Sequence, residues 1–279
     1  MNRGSMIRAG VVGHPVAHSL SPALHGRWLR RLGIEGTYEA VDPGADGFAA
    51  RIEGLRALGW AGCNVTLPFK AEALSLVDVI GGEADATARR VGAANTLVFV
   101  EAGVAASNTD VSGFADALRT AIGTAPAPTS ALVLGAGGTA PAVLAALSDI
   151  GVQELRLSNR TRETADALAE RFGAAVVPWE GRHDAVDTDV LVNATALGLP
   201  GTPPLVIDLA ALPPHAIVAD CVYARGGVTP LVAAARARGL RALDGLPMLV
   251  RQAVPGFAAW YGQTPTDLDE AEAFLRGLP

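Results

Sequence analysis

The stretch Leu132-Val133-Leu134-Gly135-Ala136-Gly137-Gly138-Thr139-Ala140 decides the fold of this chain. An apolar, strand-like run leads directly into a G-x-G-x-x-A turn, and Pro141 marks the start of a helix behind it. In such a turn the first glycine allows a tight bend, the second lets the backbone approach a pyrophosphate, and the small third residue lets helix and strand pack closely. The stretch therefore predicts a dinucleotide-binding turn, with helix N–H groups facing the phosphates. The alternative is a glycine-rich turn with a structural role only.

The end of the next predicted strand, Ser158-Asn159-Arg160-Thr161-Arg162, indicates which dinucleotide is bound. A site for NAD usually carries an acidic residue about 20 positions after the glycines, where it binds the ribose 2′-hydroxyl. Here no carboxylate would repel a 2′-phosphate, and Arg160 and Arg162 could pair with one. We therefore expect NADP rather than NAD. The alternative is a pair of arginines on a solvated loop.

Short apolar runs alternate with helical patterns along the chain, which predicts an α/β protein with mainly parallel sheets. The predicted strands cover residues 8–13, 37–41, 62–66, 131–134, 154–157, 175–177, 190–192 and 217–219, with a hairpin formed by 95–100 and 104–107. The predicted helices cover 21–33, 47–58, 69–77, 112–121, 164–172 and 246–261, and two more begin at Pro141 and Pro230. Pro255 is expected to kink or break the last helix. After the proline-rich loop 123–129, the βα period is that of a doubly wound nucleotide domain.

Composition narrows the classes of function. The chain has 279 residues, of which 50% are hydrophobic and 18% charged, with a formal net charge of -6. Because no block of lysine or arginine occurs, we expect no nucleic-acid partner. We also expect no secretory leader, no membrane span in the apolar run 130–147, and no metal site among the five histidines. Cys63 and Cys221 lie in apolar runs and are expected to be buried, reduced thiols, which suits the cytoplasm.

A second informative stretch is Gly62-Cys63-Asn64-Val65-Thr66-Leu67-Pro68-Phe69-Lys70. Polar and apolar residues alternate in it, so Asn64 and Thr66 share one face of a strand end. Pro68 suits the first position of a helix, which places Lys70 in the first turn. A cation there lies against the positive end of the helix dipole, so helix stability does not explain it. Lys70 is therefore a candidate for proton transfer, and the alternative is a solvated surface lysine.

Several motifs follow one another along nearly the whole chain. They are His18-Ser19-Leu20-Ser21-Pro22, the stretch ending at Lys70, Gly92-Ala93-Ala94-Asn95-Thr96, Asn108-Thr109-Asp110, Asn159-Arg160-Thr161, Asn193-Ala194-Thr195, and Asp244-Gly245-Leu246 with Met248 and Gln252. In this order they resemble the motifs of the shikimate dehydrogenases, and the set is specific where any single motif is not. The resemblance implies an enzyme of two α/β domains with an active-site cleft between them. It implies reduction of 3-dehydroshikimate to shikimate with NADPH, a step of aromatic amino acid biosynthesis in the chorismate pathway.

The resemblance also implies roles for individual residues. Lys70 and Asp110 match the catalytic acid–base pair, and Ser19 and Ser21 match the hydroxyls that hold the substrate carboxylate. Contacts to the ring hydroxyls are matched by Asn64, Thr66, Asn95 and Gln252, and Tyr223 would line the same pocket. The cofactor would be contacted by Gly135, Ala136, Gly137, Gly138, Thr139, Ala140, Asn159, Arg160, Thr161, Arg162, Thr195, Val222, Gly245 and Met248. On residue chemistry alone, Ser21 could instead be an N-cap, and the polar residues could be turn or strand-edge residues.

We expect a discontinuous substrate domain, residues 1–110 and 245–279, and an NADP-binding Rossmann domain of residues 111–244 that lies between them in the sequence. The two points at which the chain passes from one domain to the other would serve as hinges for closure of the cleft. Pro247 departs from the glycine common in the family, and Arg162 follows Thr161 more closely than the family's second arginine does. The alternatives are a quinate/shikimate or aminoshikimate dehydrogenase, or a non-catalytic NADP-binding regulator. A monomer or homodimer is expected.

Overall fold

The computed structural model of the chain describes residues 6–45, 47–199, 201–224 and 226–278. Its strands are β1 (Ile7–Val12), β2 (Gly36–Val41), β3 (Gly62–Val65), β4 (Gly82–Ala84), β5 (Thr96–Val100), β6 (Gly103–Ser107), β7 (Ser130–Leu134), β8 (Glu154–Ser158), β9 (Ala175–Val177), β10 (Val190–Asn193), β11 (Ile217–Asp220) and β12 (Arg241–Leu243). Its α-helices are α1 (Ser21–Leu32), α2 (Phe48–Ala57), α3 (Lys70–Ile80), α4 (Ala86–Val91), α5 (Asp110–Ile122), α6 (Ala140–Asp149), α7 (Arg162–Phe172), α8 (Pro230–Ala237), α9 (Gly245–Tyr261) and α10 (Leu268–Arg276). The predicted α/β class is confirmed.

The chain divides into two compact units. Unit 1 is Met1–Thr109 with Gln252–Leu275, and unit 2 is Asp110–Arg251 with Arg276–Pro279. The chain therefore changes unit at the start of α5, inside α9 and at the end of α10. The domain limits expected from the sequence stay predictions.

Unit 1 is built on a six-stranded mixed sheet with the strand order β2-β1-β3-β5-β6-β4. The first three strands are parallel, whereas β5 runs antiparallel to both of its neighbours. Asn64 of β3 is the partner of Thr96 of β5, so the carboxyl end of β3 meets the amino end of β5 at one edge. This edge receives the polar residues that follow or begin those strands.

Helix α1 shows why the first predicted helix forms. Its buried positions recur three and four residues apart, which is the apolar stripe of a helix packed on a sheet. They are Ser21, Leu24, His25, Trp28 and Leu29. The helix ends at Gly33, whose φ of 65° is left-handed and is reached at little cost by glycine. The predicted helix is therefore confirmed, with its end at Gly33 as expected.

Unit 2 contains a six-stranded parallel sheet with the order β12-β11-β10-β7-β8-β9. Counted from β7, this is the order 6-5-4-1-2-3 of a doubly wound dinucleotide-binding domain. The residues of β10 and β11 are all buried, as expected when helices cover both faces of a parallel sheet. The strand order reverses between β7 and β10, and ligands of such sheets bind at that point.

Several elements differ from the sequence-based expectation. Helix α9 is not broken at Pro255; the helix continues to Tyr261. A proline removes one backbone donor, and a long helix with many other contacts tolerates that loss. The elements β4, α4, β12 and α10 were not predicted. The first three have only three to six residues and show too little periodicity to detect, although Asp85 before α4 caps it, as its residue type allows.

Among the residues that the structure describes, no helix is long and apolar enough to cross a membrane.

Candidate active site

The glycine-rich turn of unit 2 follows β7, at the point where the strand order reverses. Gly135 has a φ of 102°, and a Cβ there would lie 2.8 Å from Thr195 Cγ2, so a side chain does not fit. A Cβ at Gly137 would meet nothing within 4 Å, so the space over its backbone is open. No side chain caps the start of α6, an arrangement that suits a phosphate at the helix N-terminus. The turn is completed by Ala136, Gly138, Thr139 and the fully buried Ala140.

Asn159 links this turn to the end of β8. The N–H of Ala136 donates to Asn159 Oδ1 at 3.1 Å, and Asn159 Nδ2 donates to the carbonyl of Thr161 at 2.9 Å. The N–H of Gly135 donates to the carbonyl of Ser158 at 2.7 Å. The turn and the loop after β8 are therefore joined by hydrogen bonds, and Asn159 is one of the residues that hold them together.

The two arginines of that loop have different surroundings. Both are exposed, but Arg162 Nε donates to Asp166 Oδ1 at 2.7 Å, one turn further along α7. Arg160 makes no hydrogen bond or ion pair with any residue in the described part of the chain. A guanidinium with all of its donors free, on a loop that carries no carboxylate, fits a 2′-phosphate. The loop therefore fits NADP, with Arg160 better placed than Arg162 to bind it.

A buried polar pair holds the loop after β10 against the glycine turn. Asn193 Nδ2 donates to Asp220 Oδ1 at 2.8 Å, while Asn193 Oδ1 accepts the N–H and the hydroxyl of Thr195 at 3.0 and 2.7 Å. The hydroxyl of Thr229 donates to Asp220 Oδ2 at 2.6 Å. Burial raises the pKa of Asp220 although these donors oppose the shift. Thr195, predicted to contact the cofactor, thus lies beside Gly135.

The remaining predicted cofactor residues lie after β11 and at the start of α9. Val222 is buried, and its carbonyl accepts the N–H of Gly245 at 2.9 Å. A Cβ at Gly245 would lie 2.5 Å from the carbonyl oxygen of Cys221, so this position requires glycine. Met248 is 9% exposed in the first turns of α9. Pro247 lies in the first turn, where an N–H has no acceptor within the helix, so its departure from the family pattern costs no helical hydrogen bond.

In unit 1, Lys70 is the first residue of α3 and is 9% exposed. The interpretation as a solvated surface lysine is therefore wrong. Pro68 precedes the helix rather than beginning it, because the turn from Thr66 to Phe69 comes first. The carbonyl of Lys70 accepts the N–H of Ala94 at 2.8 Å, which ties the start of α3 to the residue before Asn95.

Thr66 lies against the end of β1. Its N–H donates to the carbonyl of Val12 at 2.9 Å, and a Cβ at Gly13 would lie 2.3 Å from Thr66 Cγ2. Only glycine at position 13 allows the two chain segments to approach so closely. The Thr66 hydroxyl makes no hydrogen bond with any of the described residues. It is therefore available to a ligand.

The serine loop precedes α1. The helix begins at Ser21, with Leu20 in the capping position and no side-chain cap. The N–H of Ser21 donates to Ser19 Oγ at 3.2 Å, so the alternative interpretation of Ser21 as the N-cap is wrong. The Ser21 hydroxyl makes no hydrogen bond within the described part of the chain, although the residue is only 5% exposed. A free hydroxyl at a helix N-terminus suits an anion.

Unit 1 also contains a buried amide cluster, formed by Asn64, Asn95, Thr96, Thr109 and Gln252. Asn95 Nδ2 donates to Thr109 Oγ1 at 3.0 Å and to Gln252 Oε1 at 3.3 Å, and Asn95 Oδ1 accepts the N–H of Thr109 at 2.8 Å. Asn64 Nδ2 donates to Thr96 Oγ1 at 3.0 Å. The structure therefore brings together three of the predicted substrate residues. Sequence reasoning gave Thr96 and Thr109 no role, although each directly adjoins a predicted site residue.

Asp110 and Tyr223 belong to unit 2. Asp110 is 5% exposed and begins α5, where a carboxylate lies at the favourable end of the helix dipole. A peptide bond joins it to Thr109 of the amide cluster. Tyr223 is half-buried after β11. The pairing of Asp110 with Lys70, and the place of Tyr223 in the substrate pocket, stay predictions.

The side chains that could bind metals are scattered through the fold. Within the described residues, no group of three or more His, Cys, Asp or Glu side chains could hold a metal ion. The two cysteines form no disulfide bond in the described part of the chain. Cys63 is buried as expected, but the expected burial of Cys221 is wrong, since that residue is half-buried. Burial raises the pKa of the Cys63 thiol well above its ordinary value, which keeps that thiol protonated.

The fold and the two sets of residues define a class of protein: a two-unit α/β enzyme that uses a dinucleotide. The sequence profile of the shikimate dehydrogenase substrate binding domain matches residues 11–97, and that of shikimate / quinate 5-dehydrogenase matches residues 121–200. The chain is 52% identical over 264 residues to a shikimate dehydrogenase (NADP(+)) of Acidiphilium cryptum, covering 94% of this chain and 93% of the relative. This chain belongs to the shikimate dehydrogenase family.

Solved structures support the assignment. Shikimate 5-dehydrogenase from Thermus thermophilus, in complex with NADP(H) and shikimate, has a TM-score of 0.83 and 39% identity, covering 97% of this chain and 100% of that one. Quinate dehydrogenase from Corynebacterium glutamicum, in complex with NAD, has a TM-score of 0.86 and 32% identity, covering 96% and 98%. The fold is therefore shared by enzymes that differ in both substrate and cofactor.

Proposed function

We propose that this chain catalyses the reversible, NADP-dependent reduction of 3-dehydroshikimate to shikimate. The observation that carries the proposal is the buried amide cluster of unit 1, which adjoins Lys70 through the bond from Ala94 N–H to the Lys70 carbonyl. A cyclohexene carboxylate with three hydroxyls needs an anion site, several hydrogen-bonding groups and one proton donor. The residues of unit 1 offer all three.

Lys70 and Asp110 are proposed as the acid–base pair. A protonated Lys70 would donate a proton to the oxygen that becomes a hydroxyl in the reduction and would take it back in the reverse direction. Asp110 would hold the ammonium group and a substrate hydroxyl in place. Support comes from the burial of both side chains and from the bond that ties Thr109, next to Asp110, to Asn95.

The serine loop and the amide cluster would orient the ring. The Ser19 and Ser21 hydroxyls would bind the carboxylate, because they lie at the start of α1 and the Ser21 hydroxyl has no partner among the described residues. Thr66, Asn64, Asn95, Gln252 and Tyr223 would contact the ring hydroxyls. Fixing the ring in this way supplies the orientation that makes a bimolecular step effectively intramolecular.

Unit 2 would hold the cofactor, which supplies or accepts the hydride when it is bound. The turn from Gly135 to Ala140 would bind the pyrophosphate, and the Asn159–Arg162 loop would bind the adenosine ribose. Arg160 favours NADP, since it has no ion-pair partner among the residues that the structure describes and its loop lacks a carboxylate. Thr195, Val222, Gly245 and Met248 would complete the contacts. We further propose a cytoplasmic monomer or homodimer, in keeping with cysteines that form no disulfide among the described residues.

The test is a cofactor absorbance assay that crosses shikimate and quinate with NADP⁺ and NAD⁺. Reduction of NADP⁺ by shikimate, with quinate and NAD⁺ at least tenfold poorer in kcat/KM, is the expected result. Comparable rates with quinate or NAD⁺ would place the chain with the broader dehydrogenases, an alternative favoured by its likeness to the quinate dehydrogenase. Binding of NADPH without turnover of either acid would instead favour an aminoshikimate substrate or a non-catalytic regulator.

A further inference from the structure

A histidine and a tyrosine lie stacked behind the amide cluster of unit 1. His25 of α1 and Tyr38 of β2 have ring centroids 3.7 Å apart and planes inclined by 10°. Trp28, Phe257 and Trp260 surround the His25 ring, with centroids 5.6, 5.7 and 5.9 Å away. Neither nitrogen of His25 has a hydrogen-bond partner among the described residues, and the side chain is fully buried. The histidine therefore serves as a flat, uncharged ring that fixes the plane of Tyr38.

The Tyr38 hydroxyl reaches the amide cluster. It donates to Asn64 Oδ1 at 2.6 Å, and both groups are buried. The Asn95 backbone carbonyl can only accept, so it keeps Nδ2 of Asn64 on its side, and the amide oxygen faces the Tyr38 hydroxyl. With its oxygen turned to Tyr38, Asn64 directs Nδ2 at the Asn95 carbonyl and at Thr96 Oγ1, at 3.1 and 3.0 Å.

The orientation is passed along the cluster. Thr96 Oγ1 accepts from Asn64 and therefore donates its own proton onward, to Asn95 Oδ1 at 3.2 Å. Asn95 Oδ1 also accepts the backbone N–H of Thr109, a group that can only donate, so Asn95 Nδ2 faces Gln252 Oε1. Each amide in the series thus presents a fixed donor or acceptor, and Tyr38 is the partner of the amide oxygen at one end of the series.

We propose that Tyr38, held flat against His25, is a positioning residue that holds the Asn64 amide in place and, through it, its neighbours Asn95 and Thr96. The proposal rests on the proposed function, because it assigns the amides of Asn95 and Gln252 to the substrate. Asn64 would pass this constraint to Asn95 and Thr96, because its Nδ2 donates to both.

The chain contains a matched control. Tyr261 of α9 belongs to the same aromatic group, with its ring 4.7 Å from that of Phe257, and its hydroxyl donates to the Thr37 carbonyl at 2.6 Å. Both tyrosines thus donate a short hydrogen bond from the same packed region. The acceptor of Tyr261 is a backbone carbonyl outside the amide cluster, whereas the acceptor of Tyr38 is the Asn64 side chain, a member of that cluster.

The experiment compares Tyr38→Phe with Tyr261→Phe in the full chain. Each variant loses one buried hydrogen bond, so similar decreases in Tm are expected. Only Tyr38→Phe should raise the KM for shikimate, by about tenfold, the scale of one lost hydrogen bond in binding, with the KM for NADP⁺ unchanged. Equal KM values for shikimate in the two variants would overturn the proposal.

A second readout does not depend on the identity of the substrate. In ¹⁵N-labelled protein, the side-chain amide signals of Asn64 and Asn95 should move in Tyr38→Phe and stay in place in Tyr261→Phe. Unchanged amide signals in Tyr38→Phe would refute the positioning role even if shikimate proves not to be the substrate. Moved signals together with no turnover of shikimate by the unaltered protein would refute the proposed function alone.

Discussion

The two candidate sites are built in opposite ways. In unit 2 the cofactor turn is made by the backbone of one short stretch, and its key positions, Gly135 and Gly137, have no side chains at all. In unit 1 the amide cluster is made by side chains, and Asn95 bonds to Gln252 across 157 positions of sequence. A site made by backbone groups can therefore be specified by one short stretch of sequence. A site made by side chains exists only once the sheet and its helices are assembled.

The largest expected effect comes from the side-chain site. Lys70→Ala should lower kcat for shikimate oxidation by roughly 10²–10⁴-fold, because it removes the proposed proton-transfer group. Steady-state rates over a range of pH would measure the loss. Titration with NADPH serves as the control, since the cofactor residues of unit 2 are unaltered and its affinity should be unchanged. Turnover near that of the unaltered protein would remove Lys70 from the mechanism.

The backbone site can be dissected with two glycines. In Gly135→Ala the new Cβ would lie 2.8 Å from Thr195 Cγ2 on a backbone with φ of 102°, so we expect a stability loss of roughly 2–4 kcal/mol. In Gly137→Ala the Cβ meets nothing within 4 Å, so stability should change by less than about 0.5 kcal/mol. Both variants should bind NADPH weakly, the second because its methyl group occupies space meant for the pyrophosphate.

Urea unfolding followed by NADPH titration separates the two glycine effects. Gly137→Ala is the informative case, since it should be folded and yet poor in cofactor binding. Normal NADPH affinity in Gly137→Ala would mean that the pyrophosphate does not approach this backbone.

The proposed 2′-phosphate contact would be made by a side chain next to the glycine turn. Arg160→Ala should weaken NADPH binding by roughly 10–100-fold, the range of one charged hydrogen bond, and leave NADH binding unchanged. Arg162→Ala is the matched control and should have a smaller effect, since Arg162 is already paired with Asp166. Calorimetry with 2′,5′-ADP measures the contact without any turnover. An equal or larger loss in Arg162→Ala would show that the Asp166 pair opens on binding.

The same contrast explains what could be predicted from sequence. The glycine turn and its flanking strand and helix were found because each residue's role depends on its immediate neighbours. Lys70 was placed in the first turn of its helix for the same reason. The pairing of Arg162 with Asp166 could have been found too, since the two are one helical turn apart.

Other features could not be found locally. The contact between Tyr38 and Asn64 depends on the strand order β2-β1-β3, which no stretch of sequence contains. The N-cap prediction for Ser21 failed because the hydroxyl of Ser19, two residues earlier, accepts the Ser21 N–H. Both residues are serines, so the preference of serine for capping positions does not distinguish them. Of the kink or break expected at Pro255, the break did not occur, since α9 continues through Pro255 to Tyr261, and the kink stays a prediction.

The smallest expected effect concerns acid stability and the histidine behind the amide cluster. Burial lowers the pKa of His25 from 6.5 to about 3. The unfolded chain therefore binds a proton below pH 6.5 that the folded chain does not, so stability is full above that pH and falls as the pH decreases toward 3. The slope is about 1.4 kcal/mol per pH unit, or about 2 kcal/mol lost by pH 5.

His25→Phe isolates this contribution because phenylalanine preserves a flat ring in the aromatic group and cannot be protonated. The rings that face His25 are Trp28, Tyr38, Phe257 and Trp260, and of these four Tyr38 is titratable, with a pKa raised well above its ordinary value by burial. Other titratable groups, such as Asp189, whose pKa is lowered, contribute equally to the stability of the unaltered protein and of the variant. Their contributions therefore cancel when the two stability profiles are compared. Urea unfolding from pH 7 to pH 5 should therefore show a flatter stability profile in the variant. Parallel stability profiles would mean that His25 takes up a proton in the folded state as readily as in the unfolded state. A charged ring could not be the neutral platform on which Tyr38 is stacked.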